Sequence, residues 1–266
     1  MDVHSISLKG RREQNEDKHN IILNINNKDT NLKNINFFGV YDGHGGKEVS
    51  TYLESNIAKF FMNKKMPYPL SEKYVKPLYN YITSHLKKTN FANSCGSTCL
   101  ILIHFRHNNN NYINILNTGD SRSILCRDNF GIPLTKDHKP NWPEERARIT
   151  KLGGRIIFDG SDWRIKDLSV SRAVGDLDAA PYVCNTPDLF RYKLEDTDKF
   201  IVLACDGLWD VMSNSDVVNF ILTNCYSADT NTRINKDLNI AKKLAEHAIN
   251  KGSNDNVTII VIFLHV

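Results

Sequence analysis

Three aspartates in this chain of 266 residues adjoin segments that are apolar enough to form buried strands. Asp42 and Asp206 each directly follow such a segment, and Asp255 lies two residues before one. Aspartate is common in the turns at strand ends, so any one of these positions alone indicates only a turn. If the strand ends gather at one edge of a pair of sheets, the carboxylates converge and need a counter-charge. Because hard oxygen ligands suit Mg²⁺ and Mn²⁺, we expect one of these ions.

Further acids show the same placement. Asp120 follows another apolar segment, and Glu16 and Asp17 end a polar stretch between the first two predicted strands. Gly43 comes directly after Asp42 and has no side chain, which allows the backbone to approach an ion closely. These positions are therefore candidates for the same cluster.

The elements that position these acids can be read from the apolar periodicity. Short segments rich in β-branched residues, bounded by turn residues, predict strands at 3–8, 21–25, 35–41, 98–105, 112–116, 121–126, 200–204 and 257–264. Apolar residues at helical spacing predict helices at 48–61, 73–87, 143–152, 215–225 and 236–250, with Ser213 or Ser215 as a cap for the fourth. Consecutive strands with short turns, and helices in blocks, indicate an α+β fold with antiparallel sheets.

Composition excludes several classes of protein. The net charge is only +4, with scattered Lys and Arg, so we expect no nucleic-acid partner. No apolar run approaches the roughly 20 residues of a membrane span, and the first residues have no secretory pattern, so we expect no membrane association. The six Cys contain no C-x-x-C pair, which argues against a zinc site and favours reduced thiols in an intracellular compartment.

An ordered set of short motifs gives a more specific indication. The sequence resembles the metal-dependent Ser/Thr protein phosphatases of the type 2C family from residue 10 to residue 261. The motifs that carry the resemblance, in order, are Gly10-Arg11-Arg12 with Asn15-Glu16-Asp17, Asp42-Gly43-His44-Gly45-Gly46, Gly96-Ser97-Thr98, Gly119-Asp120-Ser121-Arg122, Asp137-His138-Lys139-Pro140, Arg148-Ile149 with Gly153-Gly154, Ser171-Arg172-Ala173 with Gly175-Asp176, Asp206-Gly207-Leu208-Trp209-Asp210, and Asp255-Asn256-Val257-Thr258.

The resemblance implies a binuclear Mg²⁺ or Mn²⁺ centre. In it, Asp42 would bridge the two ions and the Gly43 carbonyl would bind one of them. Asp206 and Asp255 would complete the shell of the other ion. It further implies that Glu16 and Asp17 bind through metal waters, and that a weaker third ion is held by Asp120 with Asp206 and Asp210.

Two more residues take catalytic roles by the same resemblance. Arg12 resembles the arginine that clamps the substrate phosphate, where a planar guanidinium matches two phosphate oxygens better than lysine would. His44 resembles the proposed general acid, which would protonate the poor seryl or threonyl leaving group. Two divalent ions would activate a water for in-line attack on phosphorus, so no covalent nucleophile is needed.

The resemblance also implies a four-layer α-β-β-α sandwich of two antiparallel sheets flanked by helices. We expect a single catalytic domain over residues 1–266, phosphorylated Ser/Thr proteins as partners, a monomer, a signalling role and a cytoplasmic or nuclear location. Because the chain starts almost at the first motif, we expect any N-terminal extension of the family to be missing or trimmed.

Some motif residues have simpler interpretations. We expect His138 to be structural in a turn before a helix, Trp209 to be core, and Arg172 to form a buried ion pair with nearby Asp176. The loop 159–168 resembles the family's flap, with Asp167 where glycine is more usual, so its backbone and the selection of substrates could differ.

Two alternatives to the phosphatase hypothesis make different demands on the sequence. A non-catalytic relative acting as a binding module would have lost metal acids, yet Asp42, Asp206 and Asp255 are all present. A different two-metal phosphoesterase is suggested faintly by Asp42-Gly43-His44-Gly45, but the G-N-H-E segment that such enzymes need is absent from the sequence.

Overall fold

A computed structural model of the chain describes residues 1–26, 32–62 and 66–264. Its elements, in chain order, are β1 (Asp2–Leu8), β2 (Lys18–Ile25), β3 (Leu32–Tyr41), β4 (Gly43–His44), α1 (Glu48–Phe61), α2 (Glu72–Leu86), β5 (Gly96–Ser97), β6 (Cys99–His107), β7 (Asn110–Thr118), β8 (Arg122–Arg127), β9 (Phe130–Pro133), α3 (Pro143–Lys151), β10 (Ile157–Phe158), β11 (Trp163–Arg164), β12 (Val174–Gly175), β13 (Asp188–Lys193), β14 (Asp198–Ala204), α4 (Asp206–Trp209), α5 (Asn214–Cys225), α6 (Ile240–Asn250) and β15 (Val257–Phe263).

Two five-stranded antiparallel sheets form the centre of the fold. The first sheet has the strand order β1-β15-β14-β8-β9, and the second has the order β13-β7-β6-β3-β2. Residues alternate between the two faces of each strand, so each sheet can bury one face against the other sheet and one face against helices. Two small sheets, β12-β5-β4 and β10-β11, lie outside this pair.

Three apolar clusters correspond to the three interfaces between the layers. Helices α1 and α2 pack on the second sheet, and α5 and α6 pack on the first sheet. The cluster between the sheets contains Phe38 and Leu102 from one sheet and Leu203 and Ile260 from the other. The four-layer α-β-β-α sandwich implied by the resemblance is therefore confirmed.

Most of the predicted elements are present, with small differences at their ends. Helix α6 begins at Ile240 rather than at residue 236, because the side chain of Asn239 accepts a hydrogen bond from Lys242 N and caps the helix. Of the two candidate caps for α5, Ser213 is the one used, in a capping box with Asp216. Strand β13 was not predicted; it forms the edge of its sheet and its residues are only partly buried.

All six cysteines are free, and five of them are buried. Among the described residues, no helix has both the length and the apolar character that crossing a membrane requires.

Candidate metal centre

The predicted acids lie at one end of the two central sheets. Asp42 follows β3, Asp120 lies just after β7, Asp206 is the first residue of α4 after β14, and Asp255 lies just before β15. These strand ends open onto one cavity of about 580 Å³. Of the predicted catalytic and metal-binding residues, those that line this cavity are Arg12, Glu16, Asp42, Gly43, His44, Asp120, Asp206 and Asp255.

Three of the carboxylates are in direct proximity. One oxygen each of Asp42, Asp120 and Asp206 lies within 4.8 Å of the others. Burial raises the pKa of Asp42 well above its usual range, and the neighbouring charges of Asp17 and Asp206 raise it further. Burial likewise raises the pKa of Asp206, and the neighbouring charges of Asp120 and Asp210 raise it further. Without cations, this cluster therefore disfavours its own ionised form.

Asp17 and Asp210 do not line the cavity. Asp17 is almost completely buried beside Asp42, and burial raises its pKa to about 6. Thr258 Oγ1 donates to Asp17 Oδ2 at 2.6 Å, whereas Oδ1 has no hydrogen-bond partner within the described part of the chain. Asp210 follows α4 and is exposed as a whole residue, but nearby protein atoms partly desolvate its carboxyl. This desolvation raises the pKa of Asp210, and the charge of Asp120 raises it further.

Cys205 lies close to Asp17 and Asp42 as well. Burial and these carboxylates raise the pKa of its thiol well above the ordinary value, and its Sγ donates to the carbonyl of Asn256 at 3.4 Å. The thiol is therefore protonated and structural, as expected for a cysteine packed beside an apolar strand.

The donor set fits divalent cations. It consists of carboxylate oxygens, several of them buried together, and one buried carboxylate oxygen is unpartnered among the described residues. Two side-chain cations contact carboxylates of this set. Arg12 Nη2 lies 2.6 Å from Asp255 Oδ2, and Lys139 Nζ contacts Asp120 Oδ2. Since burial penalises ionised carboxylates strongly, added positive charge would stabilise their ionised form.

Asn256 fixes the loop that carries Arg12 and Glu16. Its Nδ2 donates to the carbonyls of Lys9 and Gln14, and its Oδ1 accepts from Glu16 N at 2.9 Å. One amide side chain therefore holds both ends of the loop against the strand that begins after Asp255. The sequence motif contained Asn256, but its spacing alone did not indicate this role.

His44 pairs with Asp176, a contact that the sequence reasoning missed. The two side chains approach to 2.7 Å between Nε2 and Oδ2. Burial lowers the pKa of His44, but the hydrogen bond and charge of Asp176 outweigh it, so the net shift is upward. Gly96 lies directly beneath this pair: a Cβ there would be 2.0 Å from Asp176 Oδ2 and 2.5 Å from His44 Nε2. Glycine at position 96 therefore makes the pair possible.

The expectation that Arg172 pairs with Asp176 is wrong. Arg172 Nη2 lies 2.7 Å from Glu145 Oε1, and its Nη1 lies 2.8 Å from Asp188 Oδ1. Strand β12 lies between positions 172 and 176, and Asp176 pairs with His44 instead. Arg172 still forms a largely buried ion pair, but with other partners.

The structure supports the simpler interpretations of two other motif residues. His138 is buried; its Nδ1 accepts from Gly119 N, and its Nε2 lies 3.2 Å from Asp188 Oδ2. Trp209 is buried, and its Nε1 donates to the carbonyl of Ala204. Both residues therefore stabilise the surroundings of the cavity.

The flap loop forms one wall of the cavity. Arg164 and Asp167 line it, and Arg164 Nη1 donates to the carbonyl of Asp167 at 2.9 Å. Asp167 has a φ of 67°, which is the left-handed conformation that glycine adopts most readily. The flap thus keeps a glycine-like backbone although it lacks the glycine.

Comparison with known proteins agrees with this geometry. The sequence model of the family described as Protein phosphatase 2C matches residues 1–257. A PP2C-like domain-containing protein of Acanthamoeba polyphaga mimivirus is 47% identical over 167 residues, which cover 57% of this chain and 93% of that protein. Probable protein phosphatase 2C 7 of Oryza sativa subsp. japonica is 34% identical over 97% of this chain and 65% of its own length.

A solved structure has the same fold. A sex-determining protein of C. elegans superposes with a TM-score of 0.85 at 25% identity, covering all of this chain and 65% of that one. The chain thus spans slightly less than two thirds of the length of the C. elegans protein and of the rice relative. With a family match across nearly its whole length, the chain belongs to the protein phosphatase 2C family of metal-dependent serine/threonine phosphatases.

Proposed function

We propose that this chain hydrolyses phosphoserine and phosphothreonine in proteins at a binuclear Mg²⁺ or Mn²⁺ centre. The observation that carries the proposal is the convergence of Asp42, Asp120 and Asp206 within 4.8 Å in an open cavity. When bound, the ions supply an activated water and neutralise charge on the transferred phosphoryl group.

The ligand assignment is the one that the resemblance to the family implies. Asp42 and the Gly43 carbonyl would hold one ion. Asp206 and Asp255 would hold a second ion, for which Asp42 would also be a ligand. Glu16 and Asp17 would act through water, in keeping with the buried position of Asp17 behind Asp42. Asp120, Asp206 and Asp210 would form a weaker third site.

Arg12 and His44 would act on the substrate. Arg12 is 59% exposed at the cavity, and its guanidinium offers two parallel donors to phosphate oxygens. His44 has one ring nitrogen against Asp176, so this carboxylate orients the ring and stabilises its protonated form. The second ring nitrogen would then donate a proton to the leaving oxygen of serine or threonine.

We also propose that residues 1–266 form one catalytic domain that works as a monomer on phosphoproteins in the cytoplasm or nucleus. Three apolar clusters support a single domain, because two of them join a sheet to its helices and the third joins the two sheets. The free cysteines are consistent with a reducing compartment.

Hydrolysis of a phosphothreonine peptide with added Mn²⁺ tests the proposal. Wild type should release phosphate, and Asp206→Asn should be slower by more than about 100-fold, since even outer-shell changes cost 10–100-fold. Asp196→Asn, an exposed acid outside the cavity, is the matched control and should behave like wild type. Peptide binding without hydrolysis by wild type would favour the binding-module alternative.

A further inference from the structure

Lys139 places a positive charge inside the acidic cluster. Its Nζ contacts Asp120 Oδ2 and lies 4.0 Å from Asp162 Oδ2 in the flap. The Lys139 side chain is 19% exposed, and that of Asp120 is 2% exposed. This contact is therefore a largely desolvated ion pair and not a surface salt bridge.

The backbone around Lys139 is tied to the turn that carries Asp120. The amide of His138 donates to the carbonyl of Gly119 at 3.1 Å, and Gly119 N donates back to His138 Nδ1 at 3.1 Å. Asn117 Nδ2 also donates to the carbonyl of Lys136 at 2.9 Å. These bonds on both sides of the turn keep the stem of Lys139 next to Asp120.

Asp120 has two potential cationic partners. Its carboxylate lies within 4.8 Å of oxygens of Asp42 and Asp206, where a divalent ion would bind, and its Oδ2 is already in contact with the ammonium. A carboxylate oxygen in contact with an ammonium is a weaker ligand, because part of its charge is already neutralised. Asp162 offers the lysine a second acceptor a short distance away.

We propose that Lys139 is a tethered cation that competes with the third metal ion for Asp120. A third ion then binds only when the ammonium moves away from Asp120 towards Asp162. The inference rests on the proposed function for the identity of the third-ion ligands. In this proposal, Lys139 is the reason why the third ion binds weakly. Because Asp162 belongs to the flap, occupancy of the third site also depends on the flap.

Mn²⁺ binding to the metal-free protein, followed by calorimetry and by the electron paramagnetic resonance signal of free Mn²⁺, tests the proposal. Lys139→Met should bind the third ion about tenfold more tightly than wild type, since a unit charge next to the site is removed. Lys139→Arg keeps the charge and should stay close to wild type. Lys136→Met is the matched control, because Lys136 is exposed and its one ion pair within the described residues is with Glu144, at 3.6 Å.

The outcomes separate the two proposals. If every variant, including wild type, lacks saturable Mn²⁺ binding, the proposed metal centre is wrong and the role of Lys139 falls with it. If the first two ions bind normally and the third binds Lys139→Met no more tightly than wild type, only the role of Lys139 is wrong.

A measurement on wild type covers the case in which Lys139→Met does not fold. The side-chain ammonium signal of Lys139 in a ¹⁵N NMR spectrum, assigned with Lys139→Arg, should shift during Mg²⁺ titration in the range where the third ion binds. A signal that stays unchanged throughout that range would overturn the proposal.

Discussion

Arg12 and Asp255 form an ion pair at the edge of the acidic cavity, with 2.6 Å between Nη2 and Oδ2. The arginine is 59% exposed, so the pair leaves much of the guanidinium accessible to a ligand. The same carboxylate is a proposed metal ligand. Asp255 therefore positions the group that would clamp phosphate next to the ions that would activate water.

Replacing Arg12 should weaken substrate binding more than turnover. Arg12→Ala is expected to raise KM for a phosphopeptide by more than it lowers kcat, because a clamp that holds ground state and transition state equally contributes to binding. Steady-state kinetics measure this split. Arg11→Ala is the matched control, since Arg11 is exposed, does not line the cavity, and donates a hydrogen bond to Asn254 Oδ1 at 3.0 Å. An unchanged KM for Arg12→Ala would place the phosphate elsewhere.

Replacing His44 should affect substrates according to their leaving groups. His44→Gln is expected to slow hydrolysis of a phosphoserine peptide by roughly 10²–10⁴-fold, because the poor leaving group loses its proton donor. p-Nitrophenyl phosphate has a good leaving group and should be slowed much less. Asp176→Asn should show the same selectivity in weaker form, because Asp176 only holds the ring.

His85→Gln is a control for the histidine substitution, because His85 lies on α2 and does not line the cavity. Equal slowing of both substrates by His44→Gln would reject the role of His44 as general acid. The metal-dependent mechanism would be unaffected by that result.

Metal binding should stabilise the folded protein, and Asp42 should be central to the effect. Mn²⁺ is expected to raise the Tm of wild type, because ions relieve carboxylate repulsion and bind only the native state. Asp42→Asn removes one of the clustered charges. Without metal, the free energy of unfolding of this variant should exceed that of wild type by at least about 1 kcal/mol. Each kcal/mol corresponds to a rise of ~2–4 °C in Tm.

Differential scanning calorimetry with and without Mn²⁺ measures both effects, with Asp196→Asn as the control. An equal Mn²⁺-dependent rise in Tm for wild type and Asp42→Asn would show that the stabilising ion binds somewhere else.

A buried histidine that does not line the metal cavity should govern part of the loss of stability in acid. His104 lies between Asn36 and Asn111, at 3.2 and 3.3 Å, and burial lowers its pKa to about 4. In the unfolded chain its pKa is about 6.5. The unfolded state therefore takes up the proton first, and stability falls as the pH drops from about 6.5 to about 4.

His104→Gln should remove this part of the pH dependence, which amounts to up to about 3 kcal/mol for a shift of this size. Urea unfolding at pH 7 and pH 4.5 compares the two proteins. The same loss of stability between these pH values in both would mean that His104 is not responsible.

The sequence predicted the long strands and the placement of the acids because both depend on local patterns. Apolar runs that end in Asp42 and Asp206 mark strand ends, and the packing of the two sheets on each other brings the ends of β3 and β14 together. Strand β13 was missed because an edge strand is only half buried and carries charged residues such as Arg191. Its pairing with β7 is a tertiary contact that no local pattern encodes.

Side-chain pairing was less predictable than position. Arg172 and Asp176 are close in sequence but point to different partners, because strand β12 lies between them and not a helical turn. The contact of His44 with Asp176 spans 132 positions and depends on Gly96 leaving space. Lys139 was visible in its motif, but the neighbouring prolines indicated a turn and gave no sign of Asp120.

The most direct test of the metal-dependent mechanism is the rate of phosphothreonine peptide hydrolysis before and after removal of metal. Wild type that has been treated with EDTA and dialysed should be inactive, and added Mn²⁺ or Mg²⁺ should restore hydrolysis in a saturable manner. Asp42→Asn treated in the same way should stay inactive at all ion concentrations. Full activity of wild type in EDTA would contradict the mechanism.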